Sequence, residues 1–244
     1  MLWGLRISPT GVKVIFRRRS MFTERALVFD TETTGKHDPH IIEAAWIDVQ
    51  LDWVERDRYV ERFNPLKPIE HGAMAVHHIV DSDLVGHKSH LEFSLPEGVG
   101  YLVGHNIDYD WRVAGEPEIK RICTLALSRF LHPEIESHNQ SALMYRFFGE
   151  SARDMVKNAH SALTDVENCL KLLRIFVDEL IERGQSVATW EALWVISEQA
   201  RIPIYMPFGK HKGAPISELP ADYCSWLLRQ LDLDPYLVKA LRRD

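Results

Sequence analysis

The sequence has little that would suit an oxidised or membrane-embedded protein. Only three cysteines occur in 244 residues, Cys123, Cys169 and Cys224. They are odd in number and widely separated, so they provide neither a disulfide framework nor a CxxC metal knuckle, and a reducing, cytoplasmic setting is expected. No apolar run approaches the ~20 residues that a spanning helix requires, so no membrane association is expected. Repeats and low-complexity tracts are missing too. Positive charge is scarce: 29 Lys and Arg stand against 35 Asp and Glu, a formal net charge of −6. That balance argues against a simple basic nucleic-acid binder.

What is present is a globular composition, 45% hydrophobic and 26% charged, long enough for one full domain and a smaller one. The charge is unevenly spread. Residues 1–25 hold six Lys or Arg and one Glu, residues 26–184 hold 16 basic and 27 acidic residues, and residues 185–244 hold seven of each. Residues 1–25 therefore read as a basic N-terminal extension without the apolar core of a signal peptide. "RALVFD", "HIIEAAWIDVQLDW", "RYVERF" and "GYLVGHN" carry strand signals. "RICTLALSRFL" and "SALMYRFFG" show helical apolar spacing, and "SALTDVENCLKLLRIFVDELIERG" is the strongest helix. Strands first, then strands among helices, predict an α/β domain over 26–184 with a mixed sheet. Pro and Gly cluster between 203 and 220, which predicts a small α+β appendage within 185–244.

Three short segments place carboxylates where structure alone does not want them. Asp30 and Glu32 close an apolar strand, and residues two apart in a strand share a face. Two like charges side by side repel and raise each other's pKa unless a cation intervenes. Oxygen-only donors without paired His or Cys suit Mg²⁺ or Mn²⁺ rather than zinc. The second segment, "HNIDYD", puts Asp108 and Asp110 just after a core strand, and the third, "HSALTD", puts Asp165 in the first turn of the long helix.

The order DxE, HNxxYD, HxxxxD, here "FDTETTG", "HNIDYD" and "HSALTD", resembles the DEDD exonucleases, and His160, five residues before Asp165, marks the DEDDh branch. The resemblance covers about 26–183. It implies a ribonuclease H-like mixed β-sheet flanked by helices, and 3′→5′ hydrolysis of nucleic acid, DNA 3′ ends in the first place. It implies two divalent metal ions, Mg²⁺ or Mn²⁺, held by Asp30, Glu32, Asp110 and Asp165, with His160 as the general base and nucleoside 5′-monophosphates as products. Thr33, Thr34 and Gly35 would lie against the terminal nucleotide, with Asn106 of the second motif among the substrate contacts. Lys36 stands where the family usually has an apolar residue, and its charge would meet a phosphate. "MPFGKHKGAPISELPADYCSWLL" resembles the C-terminal domain of exodeoxyribonuclease X-type proteins, and Lys210 and Lys212 in its glycine-bracketed turn are candidates for phosphate contact. An exoribonuclease of the same fold and a non-catalytic nucleic-acid-binding module are the alternatives, and a homo-oligomer is compatible with the sequence. The family pattern selects Asp110 as the ligand. Two residues apart on a helix differ by about 200° around the axis, so Asp108 should face away and serve as a helix N-terminal acid.

Overall fold

The computed structural model describes residues 25–242, so the expected N-terminal extension, Arg25 apart, lies outside the described residues. Five strands form one sheet: β1 (Arg25–Thr33), β2 (Ile41–Val49), β3 (Glu55–Arg62), β4 (Val99–Gly104) and β5 (Lys120–Cys123), in the order β3-β2-β1-β4-β5. β1 to β3 form an antiparallel meander, while β4 and β5 run parallel to β1 on its other side. The sheet is mixed, as expected. β1 and β4 are buried over Ala26–Phe29 and Tyr101–Val103, as central strands covered on both faces must be.

The helices are α1 (His71–His77), α2 (Asp108–Val113), α3 (Thr124–Leu131), α4 (Gln140–Phe148), α5 (Ala152–Met155), α6 (Ala162–Glu182), α7 (Trp190–Ala200), α8 (Ala221–Leu227) and α9 (Pro235–Arg242). α6 lies across β1 and β2. Its buried stripe of Val166, Cys169, Leu173, Phe176, Val177 and Leu180 includes four positions of the predicted row Leu163, Val166, Leu170, Leu173, Val177 and Leu180, while Leu163 and Leu170 are only partly buried because the stripe is centred closer to Cys169 and Phe176. β5 is a strand the helical reading of "RICTLALSRFL" conceals: Lys120–Cys123 passes into α3 without an intervening turn residue.

Three apolar clusters hold the described chain: a large one, a small one of Ile42, Ile69, Ile79 and Leu84 beneath α1, and a C-terminal one. The large one includes Trp190, Leu193, Ile196 and Ala200 of α7, and the Cys123 N–H of β5 donates to Ser197 Oγ at 2.9 Å. α7 therefore packs with the large domain rather than with an appendage beginning at residue 185. The separate C-terminal core begins at Met206 and adds Ile216, Leu219, Leu227, Leu237 and Leu241. Its β content reduces to one antiparallel bridge between Tyr205 and Pro215. No helix among the described residues is long and apolar enough to cross a membrane.

Candidate active site

β1 delivers Asp30 and Glu32 to one face, while Thr31 and Thr33 on the alternate face are buried. The pairing of β1 with β4 ends at Val28–Val103, which leaves the Thr31 N–H beyond the parallel ladder. Asp110, on the first turns of α2, fills that gap. Its Oδ1 accepts from the Thr31 N–H at 3.0 Å and from Thr31 Oγ1 at 2.7 Å, and the residue is 5% exposed. On the other side, Asp165 in the first turn of α6 accepts the His160 N–H at 2.9 Å on Oδ2. This bond holds His160 in a left-handed conformation, φ 66°, with its side chain in solvent. One carboxylate oxygen each of Glu32 and Asp165 and one imidazole nitrogen of His160 lie within 4.8 Å of one another. The five residues of the acidic pattern thus come together at one end of the central strand, from three elements and one loop.

The electrostatics of the cluster are those of an uncompensated acidic site. Burial, then the charges of Asp110, Asp165, Glu32 and Glu43, hold the Asp30 carboxyl well above the usual carboxylate range. Burial and Asp165 push Glu32 up to about 9. Asp110 rises to about 7, burial outweighing its two hydrogen bonds from Thr31. Asp165 rises to about 6 for the same reason, against the His160 N–H. Four carboxylates in one buried space cannot all ionise without positive charge among them. Their donor set, oxygen only apart from the one imidazole, fits hard divalent cations.

Glu43 is a fifth acid, buried beside the cluster, that the motif reading missed. It stands directly opposite Glu32 on β2, a pairing of like charges that costs stability unless relieved. Two groups relieve it: Arg62, its own cross-strand neighbour on β3, at 3.0 Å, and the Ala162 N–H at the start of α6, at 3.0 Å. The residue before α6, Ser161, provides no side-chain cap of its own, so a buried carboxylate from β2 takes that place and fixes the helix that carries Asp165. An acid inside the apolar run "HIIEAAWIDV" was the available signal.

The expected substrate contacts separate into groups. Thr33 Oγ1 bonds the Tyr109 hydroxyl at 2.6 Å, and the same hydroxyl donates to the Gly35 carbonyl at 3.1 Å. Tyr109 therefore latches the turn after β1 to α2. Thr34 is buried, its hydroxyl accepting the His40 N–H at 3.1 Å, so its side chain serves the turn itself. At Gly35, φ 146°, a Cβ would lie 2.1 Å from the Glu70 side chain, so only glycine lets that carboxylate close over the turn. Lys36 and Asn106 are exposed beside this region. Lys210 and Lys212 lie in the C-terminal domain, not among the acids. His105 is structural, with Nε2–H donating to the His138 carbonyl at 2.8 Å and Nδ1 3.0 Å from Thr124 Oγ1. Asp108 points away from the acids, as expected, but its partners are Arg121 at 2.7 Å and Arg201 at 2.5 Å rather than the helix dipole alone.

A ribonuclease H-like sheet with a DxE strand, an Asp on the helix after β4 and a His–Asp helix start defines the DEDDh type of 3′→5′ exonuclease. The family model described as Exonuclease matches residues 27–173, a span that contains all five of these residues. The chain belongs to that exonuclease family and is a nuclease, a hydrolase. A second, shorter match over residues 199–231 is to a family whose description names a quorum-sensing-regulated virulence factor. Exodeoxyribonuclease 10 of Escherichia coli K12 is 29% identical over 210 residues, 84% of this chain and 91% of that one. A PolC-type DNA polymerase III of Lacticaseibacillus paracasei is 29% identical over 68% of this chain, a span that is 12% of the polymerase. In the fold alone, the chain is similar to E. coli exonuclease I in its zinc-bound complex with single-stranded DNA (TM-score 0.54, 16% identity, 87% of this chain and 60% of that one).

Proposed function

We propose that the protein removes nucleotides from the 3′ ends of DNA, releasing nucleoside 5′-monophosphates, with two divalent cations held by Asp30, Glu32, Asp110 and Asp165. The observation that carries this reading is the convergence of four acids whose burial lifts their proton affinities together, with the charge of neighbouring acids adding to it at Asp30, Glu32 and Asp110. Mg²⁺ or Mn²⁺ bound there would supply positive charge to the attacking and leaving oxygens of an in-line displacement.

The chain's own groups do the rest. Asp165 accepts the His160 N–H and so holds the His160 backbone while leaving its imidazole in solvent. That imidazole takes the proton of the attacking water on a ring nitrogen, as a general base. Glu43 fixes the first turn of α6, so His160 and Asp165 keep their distance from Glu32. The Tyr109 latch holds Thr33 and Gly35, whose backbone would line the terminal nucleotide. Lys36 adds a charge for a phosphate. The DNA preference is supported by the name of the E. coli relative, which is similar over most of both chains. A cytoplasmic location is part of the same reading, supported by three cysteines that are all unpaired.

End-labelled strands test it. A 3′ label should appear at once as mononucleotide, a 5′ label only after the strand is consumed, and chelator should stop both. Earlier release from the 5′ end, or hydrolysis untouched by chelator, would overturn the reading. Matched RNA strands degraded faster than DNA would move it to the exoribonuclease alternative.

A further inference from the structure

The C-terminal domain presents a feature that the acidic site does not use. Residues 206–214 form a closed turn: the Gly213 N–H donates to the Met206 carbonyl at 2.8 Å, the Met206 N–H to the Ala214 carbonyl at 2.8 Å, and the Lys212 N–H to the Gly209 carbonyl at 3.1 Å. Gly209, φ 73°, sits where a Cβ would lie 3.1 Å from the Tyr223 hydroxyl, so the turn meets α8 closely only because this residue is glycine. The His211 ring packs edge-on to Tyr223 at 4.5 Å, and Tyr223 stacks on Trp226 at 5.6 Å. The aromatic row ends in the open, with Trp226 48% exposed and Phe208 44% exposed. A cavity of about 290 Å³ opens beside it, lined by Lys210, His211, Pro220, Asp222, Tyr223 and Trp226.

Some basic groups of the large domain are held in ion pairs, while others, Lys36 and Arg146 for example, form none among the described residues. Arg25, Arg58, Arg62, Lys67, Lys88 and Arg121 all meet carboxylates. Lys210 and Lys212 form no ion pair among the described residues. Lys210 lines the cavity with the exposed, stacked indole and Lys212 follows in the same turn, which gives the two parts of a single-strand site: cations for phosphates and a flat apolar face for a base. Asp222 on the opposite wall limits the net positive charge and favours a few local contacts over a broad basic track.

We propose that the turn 208–213 and α8 form a second, sequence-tolerant contact for a single nucleic-acid strand, with a base stacked on Trp226 and neighbouring phosphates on Lys210 and Lys212. The proposal rests on the exonuclease reading for the reason a strand is present, but its chemistry is independent of the acidic site.

Its test uses the full chain and two probes. The first is a 20-nucleotide oligothymidylate, bound in chelator and followed by fluorescence polarisation. The second is the p-nitrophenyl ester of thymidine 5′-phosphate, hydrolysed with Mn²⁺, which reaches only the active site. Trp226→Ala should weaken oligonucleotide binding about tenfold, and Trp226→Phe should recover most of it. Lys210→Ala with Lys212→Ala should flatten the dependence of log Kd on log salt by about 1.4, two phosphate contacts on a single strand. None of these variants should change hydrolysis of the nitrophenyl ester. Unchanged affinity and salt slope in both variants would overturn the proposal and leave the surface to a protein partner. A wild-type chain that hydrolyses neither the ester nor DNA would sink the exonuclease reading, while the binding measurement would still decide the strand site.

Discussion

Asp108 and Asp110 are two residues apart in sequence and opposite in job, and their Asn variants should separate stability from activity. Asp108 joins Arg121 at 2.7 Å and Arg201 at 2.5 Å. The Arg201 side chain is only 5% exposed, while that of Asp108 is 34% exposed. In Asp108→Asn the amide Nδ2 must face one guanidinium, donor against donor, beside a charge that cannot reach water. Removing one partner of a buried pair costs about 3–5 kcal/mol. The exposure of Asp108 and the remaining Arg201–Glu198 pair at 3.2 Å bring this to about 2–3 kcal/mol. For a chain of this size that is a fall in Tm of roughly 4–12 °C, at about 2–4 °C per kcal/mol. Asp110→Asn should do the reverse. Its carboxylate is crowded by other acids and its pKa is raised to about 7, so losing the charge should leave Tm unchanged or raise it, while turnover falls by more than about 100-fold. Thermal unfolding in chelator, paired with initial rates well below either Tm, measures both. If Asp108→Asn abolished turnover in a fully folded chain, or Asp110→Asn retained it, the division of labour would be refuted.

Three further perturbations follow from the same geometry. Glu43→Ala should lower kcat by about 10–100-fold with little change in KM, because it frees the start of α6; Glu43→Gln, which keeps an acceptor for the Ala162 N–H, should recover most of it, and steady-state kinetics would show whether it does. The raised pKa values of Glu32, Asp110 and Asp165, about 9, 7 and 6, give the metal-free fold a stability that is complete below about pH 4 and is lost as pH climbs from there to each of those values. Mg²⁺ should therefore raise Tm more at pH 9 than at pH 6, and calorimetry at pH 7 should detect protons released on binding; a larger shift at pH 6 would contradict the assignment. Burial lowers the His105 pKa to about 4, so the unfolded chain takes up the proton first and this contribution drains as pH falls from 6.5 to 4, by about 3 kcal/mol. Because the raised carboxylates act in the opposite sense, the expected result is a difference, the wild type losing more stability, or gaining less, than His105→Gln between denaturant melts at pH 7 and 4.5, and equal changes in the two would contradict it.

The parts of the site that were legible in the sequence are those encoded by local spacing or by the family pattern. Two residues along a strand share a face, so Asp30 and Glu32 could be paired by inspection, while the five-residue interval from His160 to Asp165 was legible only through its resemblance to the family pattern. Most of the α6 stripe was legible from its three-and-four spacing. What escaped was tertiary. Glu43 looks like an isolated acid in an apolar strand until Arg62 and the start of α6 arrive beside it. Asp108 could be read as a helix acid, but Arg201 lies 93 residues away and meets it only because α7 packs against β5. That packing also moved the domain division. α7 is amphipathic on its own, and nothing in its pattern says which core it joins. β5 was hidden because four residues are too few to set a period of two against the helix that follows.

The central claim is that four acids hold the cations and His160 moves the proton. His160 lies within 4.8 Å of ligand oxygens on Glu32 and Asp165, so it is placed to do either. Counting bound Mn²⁺ by titration in the wild type and in His160→Ala, alongside turnover on single-stranded DNA, separates the two. The account predicts two ions in both proteins and nearly complete loss of hydrolysis in the variant. Fewer ions in His160→Ala, or near-wild-type turnover, would contradict it.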